Sequence, residues 1–493
     1  MGEKTTMSAT EPEGGAGHAE PNCEPKAWTV LTFLGGENNL SDEMVFALKA
    51  MKEGGAPPTR GRADTEFKFN ALVQFATEYS LLRPPVRFRL TPGDVDGSTH
   101  SNYEHTDPHD RAPCWRAGCR TYECELVDFL YWGIKNNPAD HYFVIFSGHG
   151  NGIESNFLVK DTVPPQALTI KQLRSVLEHP DVRSALDSVG KDRIDILGFD
   201  SCLMSMVEVC YELRHDADLF VGSQGSEANL GWPYKTIFKY LQDASRPPEP
   251  EALAKMTVDC YVQYYVDFSI IANSSADLSV CDLRGDKIYR LKSAVDGLAK
   301  AIMNHLPEKI VRGTIEGDPF LRSLIFAHWY AQTYRNDQYT DLFDFCDVLG
   351  SNTDKDDVVK ACAAVRSAVK ALVHNNWPCY TGPMYQYSYG VSVYFPWSEI
   401  YPPYRTHVAD EMLDFLKDTC WLQFLRRYIR ATQRPARPGP CRHVDRHGDK
   451  FRDKDALPAT RGSDDPTVRA KNPPHRWNAQ ACLCEYLKEH GLV

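Results

Sequence analysis

The chain has 493 residues, 42% of them apolar, enough for a substantial core and, at this length, for two structural units plus tails. Its 66 acidic against 55 basic residues give a net charge of −11, which excludes the basic field of a general nucleic-acid binder. No apolar run approaches the roughly 20 residues that span a bilayer, so no transmembrane segment is expected.

Residues 1–25 are polar and rich in Gly, Glu and Pro, the composition of a disordered segment. They contain no apolar signal-peptide core, which makes a cytoplasmic protein the default expectation. The opening MGEKTT fits the loose N-myristoylation pattern through Gly2 and Thr6, a short pattern that often arises by accident. Order begins at Trp28–Phe33, a buried-strand run. A helix follows, with Asn39 or Ser41 as N-cap, Leu40, Met44, Ala47, Leu48 and Met51 at helical spacing, and Gly54 as its stop. FKFNALVQF then reads as a second strand. Residues 81–119 are rich in Pro, His and Arg and read as an inserted loop. YECELVDFLYWGIKNN reads as a helix ended by Pro138.

A third strand runs from Tyr142 to Phe146 and a fourth from Ile194 to Phe199, with the helix LTIKQLRSVL between them. Leu203–Leu213 reads as a further helix and Leu219–Ser223 as a fifth strand. The alternation predicts an α/β fold with a doubly wound, mostly parallel sheet flanked by helices over residues 26–246. Residues 247–430 form a largely helical C-terminal subdomain with strand-like DLSVCDL and YGVSVYFP and a last helix near 410–430. Residues 431–493 are a polar, Pro- and Arg-rich tail.

Fifteen cysteines without a signal peptide read as reduced thiols, with Cys210, Cys260, Cys281, Cys346 and Cys362 placed in core patterns. Two Cys/His clusters stand out: His105, His109, Cys114, Cys119 and Cys124, and then Cys441, His443, His447, Cys482 and Cys484. Neither has the close C-x₂-C pairing of a zinc site, and no metal ligands are assigned.

The chemistry lies at two strand ends. HYFVIFSGHGNG and RIDILGFDSCLMSM are apolar runs that close on small polar clusters carrying His149 and Cys202. Ligands of an open α/β sheet bind beyond the carboxyl ends of its strands, so both side chains are expected in that crevice. Of three His–Gly dipeptides, at 149, 447 and 490, only the first ends a buried strand. Of two Asp-x-Cys triplets, the one at 344–346 sits in a helical pattern. Cys202 precedes an expected helix whose positive end favours a thiolate. A thiolate is the nucleophile of acyl transfer, an imidazole protonates the departing amine, and the N–H groups of Gly150 and Cys202 are candidate donors to the oxyanion.

The sequence resembles the clostripain family of cysteine peptidases, in the clan of caspases, gingipains and legumain. The resemblance runs in order through WTVLTFLGGENNL, LVDFLYWGIKNNPADHYFVIFSGHGNG, IDILGFDSCLMSMVEVCYEL, VGSQGSEANLGWPY, ADLSVCDL, YTDLFDF and YGVSVYFPWS, over roughly residues 26–430. It implies a caspase-like fold and peptide-bond hydrolysis by a dyad of His149 and Cys202. It also implies that Asp200 lines the pocket for an Arg or Lys before the scissile bond. A carboxylate suits that cation through charge-assisted hydrogen bonds, although an Asp there can also cap the next helix. The second acidic residue that the family often has before its Gly–Trp pair is Leu230 here, leaving Glu227 as its substitute, with Trp232 carried over as a substrate-binding position. Relatives that cut themselves do so after a basic residue between the two catalytic strands, and Lys160 is the candidate here. Calcium dependence occurs in some relatives, but no ligand series for it is visible, and no cofactor is assigned. The expected partners are peptide or protein substrates of a monomeric endopeptidase. The alternative is a catalytically silent relative that uses the crevice as a peptide-binding scaffold.

Overall fold

The structure is a computed structural model that describes residues 25–432 apart from 56–66, 78–85, 91, 93–120, 155–156, 161–164, 272–274, 308–317, 336, 375–378 and 406–410. Gly2, the tail and the second Cys/His cluster lie outside the described residues, as do His105, His109, Cys114 and Cys119 of the first.

Ten strands matter for the site: β1 (Lys26–Gly36), β2 (Asn70–Thr77), β3 (Val86–Arg89), β4 (Ala139–Ser147), β5 (Phe157–Lys160), β6 (Gln166–Leu168), β7 (Ile194–Asp200), β8 (Ala217–Gly222), β9 (Ala276–Asp277) and β10 (Ser279–Asp282). Seven of them form one sheet in the order β10-β8-β7-β4-β1-β2-β3. The inner five are parallel, and β3 and β10 close the two edges antiparallel. The mostly parallel α/β sheet read from the sequence is thus present. It was legible because strands buried on both faces must be apolar throughout. In β4, Tyr142, Val144 and Phe146 enter the core on one face, and Phe143 and Ile145 the core on the other.

Helices cover both faces. Tyr122–Lys135 starts on Thr121, whose side chain accepts from Cys124 N, and Ile170–Leu177 starts on a Thr169–Gln172 capping box. Ser41–Gly54 and Tyr234–Asp243 pack together on the opposite face with Pro250–Ile271. The region after 247 is mainly helical, yet it also completes the main sheet, because β10 pairs with β8. It adds a small sheet of Thr333–Tyr334, Tyr339–Asp341 and Ser392–Tyr394. That sheet is tied to the segment after β7: Ser392 N donates to Ser205 O (3.0 Å), and Glu208 accepts from Tyr394 N (2.8 Å) and Tyr404 OH (2.7 Å).

Four local expectations are corrected. The 81–119 insertion contributes an edge strand, β3. The helix after β1 has Leu40 at its N-cap with no side-chain cap; Asn38 instead accepts from Leu40 N (2.8 Å), and the Asn39 side chain points elsewhere. The helix after Cys202 spans only Val207–Glu212, because Leu203 takes a positive φ of 67° and its N–H donates to Gly225 O. Cys124 is disulfide-bonded, so the cysteines are not all reduced thiols.

Candidate active site

Parallel pairing puts the carboxyl ends of β1, β4 and β7 side by side, and the register fixes what emerges there. Leu34 pairs with Ser147, and Ser147 with Asp200. His149 is two residues past Ser147 and Cys202 two past Asp200, so the histidine and the cysteine leave neighbouring strand tips at the same offset. The tips are locked together by Gly148 N donating to Asp200 O (3.1 Å) and by Ser147 Oγ donating to Asp200 Oδ2 (2.7 Å).

Gly150 lies directly on the Cys202 backbone. A Cβ at 150 would stand 2.4 Å from Cys202 O and 3.0 Å from Cys202 N. Only glycine allows that approach, and it brings the main chains of both expected oxyanion donors together. The loop beyond is pinned by Leu158 N to His149 O (2.8 Å), by Tyr339 OH to Asn151 O (2.8 Å), and by Arg335 and Asn151 to the Glu154 carboxylate.

His149 Nε2 lies 2.7 Å from Asn39 Oδ1. Cys202 is partly buried, and its thiol is held by Glu227: Glu227 N donates to Sγ (3.2 Å), and Sγ donates to Glu227 O (3.8 Å). Burial, then the Glu227 carboxylate, push the thiol up to about 11. This reverses the expected thiolate. The short helix begins at Val207, too far along the chain to stabilise it, since a helix end acts within about one turn.

Asp200 is buried and does not cap the next helix. Its Oδ2 accepts from Ser147 Oγ and Tyr234 OH (both 2.7 Å). Gly231, at φ 66°, approaches so closely that a Cβ would sit 2.8 Å from Oδ2. Both Glu227 carboxyl oxygens are sealed from solvent without a protein donor in bonding geometry. The Glu227 and Asp200 side chains act on each other in this enclosure, and two interacting buried acids do not both carry a charge, so one of them holds a proton. Burial, then the Asp200 charge, push the Glu227 carboxyl well above its ordinary value, which places the proton there. The Trp232 ring is core: it packs on Phe143 and over Gly198, and Trp232 meets Asp200 only through its backbone. Lys160 ends β5, in register with Gln166 of β6.

Four further residues shape the site. Asn39, Ser147 and Tyr234 lie 110, 53 and 34 positions from their partners. Tyr385, from the 3-10 turn Pro383–Tyr385, accepts from Ser226 N (3.0 Å) beside Glu227. The one signal available from sequence was the Asn38–Asn39 pair directly after a buried strand. Among the described residues no group of three or more His, Cys, Asp or Glu side chains is arranged to hold a metal ion.

The family model described as the clostripain family matches residues 122–427, more than half of the chain. Clostripain of Hathewaya histolytica is 22% identical over 357 residues, 66% of this chain and 66% of that protein, just under two thirds of its length. A secreted C11 cysteine protease from Bacteroides thetaiotaomicron, solved with an irreversible peptide inhibitor, is similar at 19% identity and a TM-score of 0.49, covering 83% of this chain and 99% of that one. An inactive zymogen C11 protease from Parabacteroides distasonis shows 20% identity and a TM-score of 0.44 over 83% of this chain and 99% of that one. The description of the Bacteroides relative as secreted overturns the expectation of a cytoplasmic protein, which rested on missing signals alone. The disulfide at Cys124 is at odds with that expectation too, since a reducing cytosol keeps thiols open.

Proposed function

Because the chain belongs to the clostripain family of cysteine peptidases, we propose that it is an endopeptidase with Cys202 as nucleophile and His149 as general acid and base, cutting after Arg or Lys. The observation that carries this reading is the common offset of His149 and Cys202 past a registered pair on adjacent parallel strands. The proximity of the Gly150 and Cys202 backbones supports it.

In acylation, the Sγ–H proton moves to the His149 imidazole as Sγ bonds to the scissile carbonyl carbon. The carbonyl electron pair moves onto oxygen, where the N–H groups of Gly150 and Cys202 are the proposed donors. As the C–N bond breaks, the imidazolium proton passes to the departing amine and a thioester remains. Water then gives a proton to His149 and its oxygen to the acyl carbon. The acid leaves and Sγ recovers the proton. The buried Asp200–Glu227 pair supports the basic preference: a guanidinium or ammonium replaces the retained proton and pairs with two carboxylates, the arrangement that best offsets the cost of burying charge.

The test compares fluorogenic peptides with Arg, Lys or Ala before the scissile bond, and follows labelling by an arginine chloromethyl ketone by mass. Turnover after Arg and Lys, a loss of at least ~10³-fold in Cys202→Ala and His149→Ala, and a label on Cys202 are expected. Activity surviving in Cys202→Ala, or a label on another cysteine, would overturn the assignment.

A further inference from the structure

Three neighbouring strands supply polar residues at one edge of the sheet, and their spatial order β1-β4-β7 is the order Asn39, His149, Cys202. The turn carrying Asn39 is rigidly built. Asn38 is buried, donates from Nδ2 to Gly35 O (3.1 Å) and Val159 O (2.5 Å), and accepts from Leu40 N (2.8 Å). Asn39 itself is exposed and makes no cap for the helix it precedes. Its Oδ1 instead meets His149 Nε2 at 2.7 Å. An amide oxygen only accepts, so this contact puts the ring proton on Nε2. The tautomer of a histidine is set by the partner of its other nitrogen, and Nδ1 becomes the atom that exchanges protons.

We propose that Asn39 is a positioning residue for His149, fixing the ring plane and the Nε2–H tautomer so that Nδ1 carries the proton from the thiol to the leaving amine. The inference rests on the assignment of His149 above. An orienting carbonyl is needed here in particular, because the Cys202 thiol is held protonated by its surroundings and a preformed ion pair does not align the ring.

Asn39→Ala, Asn39→Asp and His149→Ala are to be compared by kcat, KM, pH profile and thermal melting on an arginyl peptide. Asn39→Ala is expected to lower kcat by roughly 10- to 100-fold with KM unchanged, the size seen when a group that orients a functional imidazole is removed. Asn39→Asp also accepts from Nε2–H, so it should restore kcat to within a few fold. Its charge should favour the imidazolium and move the histidine limb of the pH profile upward. A merely structural role would move neither that limb nor the split between kcat and KM. Unchanged kcat and pH profile in Asn39→Ala beside an inactive His149→Ala would overturn this inference alone, as would failure of Asn39→Asp to rescue. An active His149→Ala would overturn it together with the dyad.

Discussion

Gly150 and Cys202 touch backbone to backbone, with room for a hydrogen on the Gly150 Cα and for nothing larger: an added Cβ would lie 2.4 Å from Cys202 O and 2.8 Å from Ser201 Cβ. Gly150→Ala must therefore push two strand tips apart. A displacement of about 1 Å costs on the order of 10²-fold in rate, so kcat should fall by that factor while the melting temperature, set by the two cores, changes little. Equal kcat in the variant would separate Gly150 from the oxyanion site.

The Cys202 thiol titrates near 11 because it is buried and because Glu227 stands beside it. Alkylation by iodoacetamide follows the thiolate, so its rate in the free protein should keep climbing well past pH 8. Glu227→Gln removes the second cause and leaves the backbone contacts of residue 227 in place. Its alkylation curve should match the wild type at pH values where the Glu227 carboxyl still holds its proton and shift to lower pH where the wild-type carboxyl has lost it. A curve with an ordinary thiol midpoint in the wild type would show that the crevice is more solvated than this packing allows.

Asp200 and Glu227 predict both selectivity and its pH dependence. Asp200→Asn should lower kcat/KM for an arginyl peptide by about 100-fold, the order of one charge-assisted pair, with far less effect on a neutral peptide. The Glu227 carboxyl keeps its proton well above the usual carboxylate range, and a cationic side chain docks best once that proton has left. The kcat/KM for arginine should therefore rise with pH through a limb that Glu227→Gln abolishes. A cleavage profile unchanged in Asp200→Asn would remove the acid pair from the pocket.

How much of this was readable in the chain differs residue by residue. His149 and Cys202 were legible because β4 and β7 are buried on both faces, so their ends are marked by the first polar residues after an apolar run. The stretch from Leu203 to Met206 misled for the opposite reason. It is buried by the loop at Gly225 and by the strand at Ser392, not by a helix, yet burial alone supplied apolar residues at helical spacing. Local patterns report burial, not which element causes it. Asn39, Ser147 and Tyr234 act across large sequence separations that no local rule reaches. The edge strand β3 was missed because an edge tolerates Arg87 and Arg89, which reach Asp128 and Asn70, where an inner strand would not.

Self-cleavage after Lys160 is expected to leave the catalytic edge intact. On its amino-terminal side, Leu158 N is bonded to His149 O and Val159 O accepts from Asn38 Nδ2, so β5 stays in place after a cut. The strained φ of 50° at Leu158 is held by those same bonds. Intact mass should show two fragments split after Lys160 in the wild type and one uncut chain in Cys202→Ala. A cut in both proteins, or in neither, would end the idea.

The last prediction concerns stability. Burial raises the carboxyls of Glu208 and Asp277 to about 7 and of Asp341 to about 8. A carboxyl whose folded pKa exceeds its unfolded value binds more protons folded than unfolded over that interval, so unfolding free energy falls as pH rises from about 4 to about 8 and levels off above. Glu208 offers the cleanest check. Its Oε1 accepts from Tyr394 N and Tyr404 OH, while its Oε2 is buried without a partner. Glutamine can keep both bonds on its carbonyl oxygen and puts a neutral NH₂ where the protonated acid has its hydroxyl. Glu208→Gln should therefore melt with the wild type at pH 5 and roughly 2–5 °C above it at pH 8.5. Asp277 and Asp341 allow no such swap, because both oxygens of each accept hydrogen bonds, from Gln224 N and Gly225 N in one case and from Asp344 N, Gln224 Nε2 and Tyr389 N in the other. Their Asn variants should lose stability at pH 5 and narrow the gap to the wild type as pH rises. An equal offset for Glu208→Gln at both pH values would show that Glu208 is ionised throughout, in contact with water that this packing excludes.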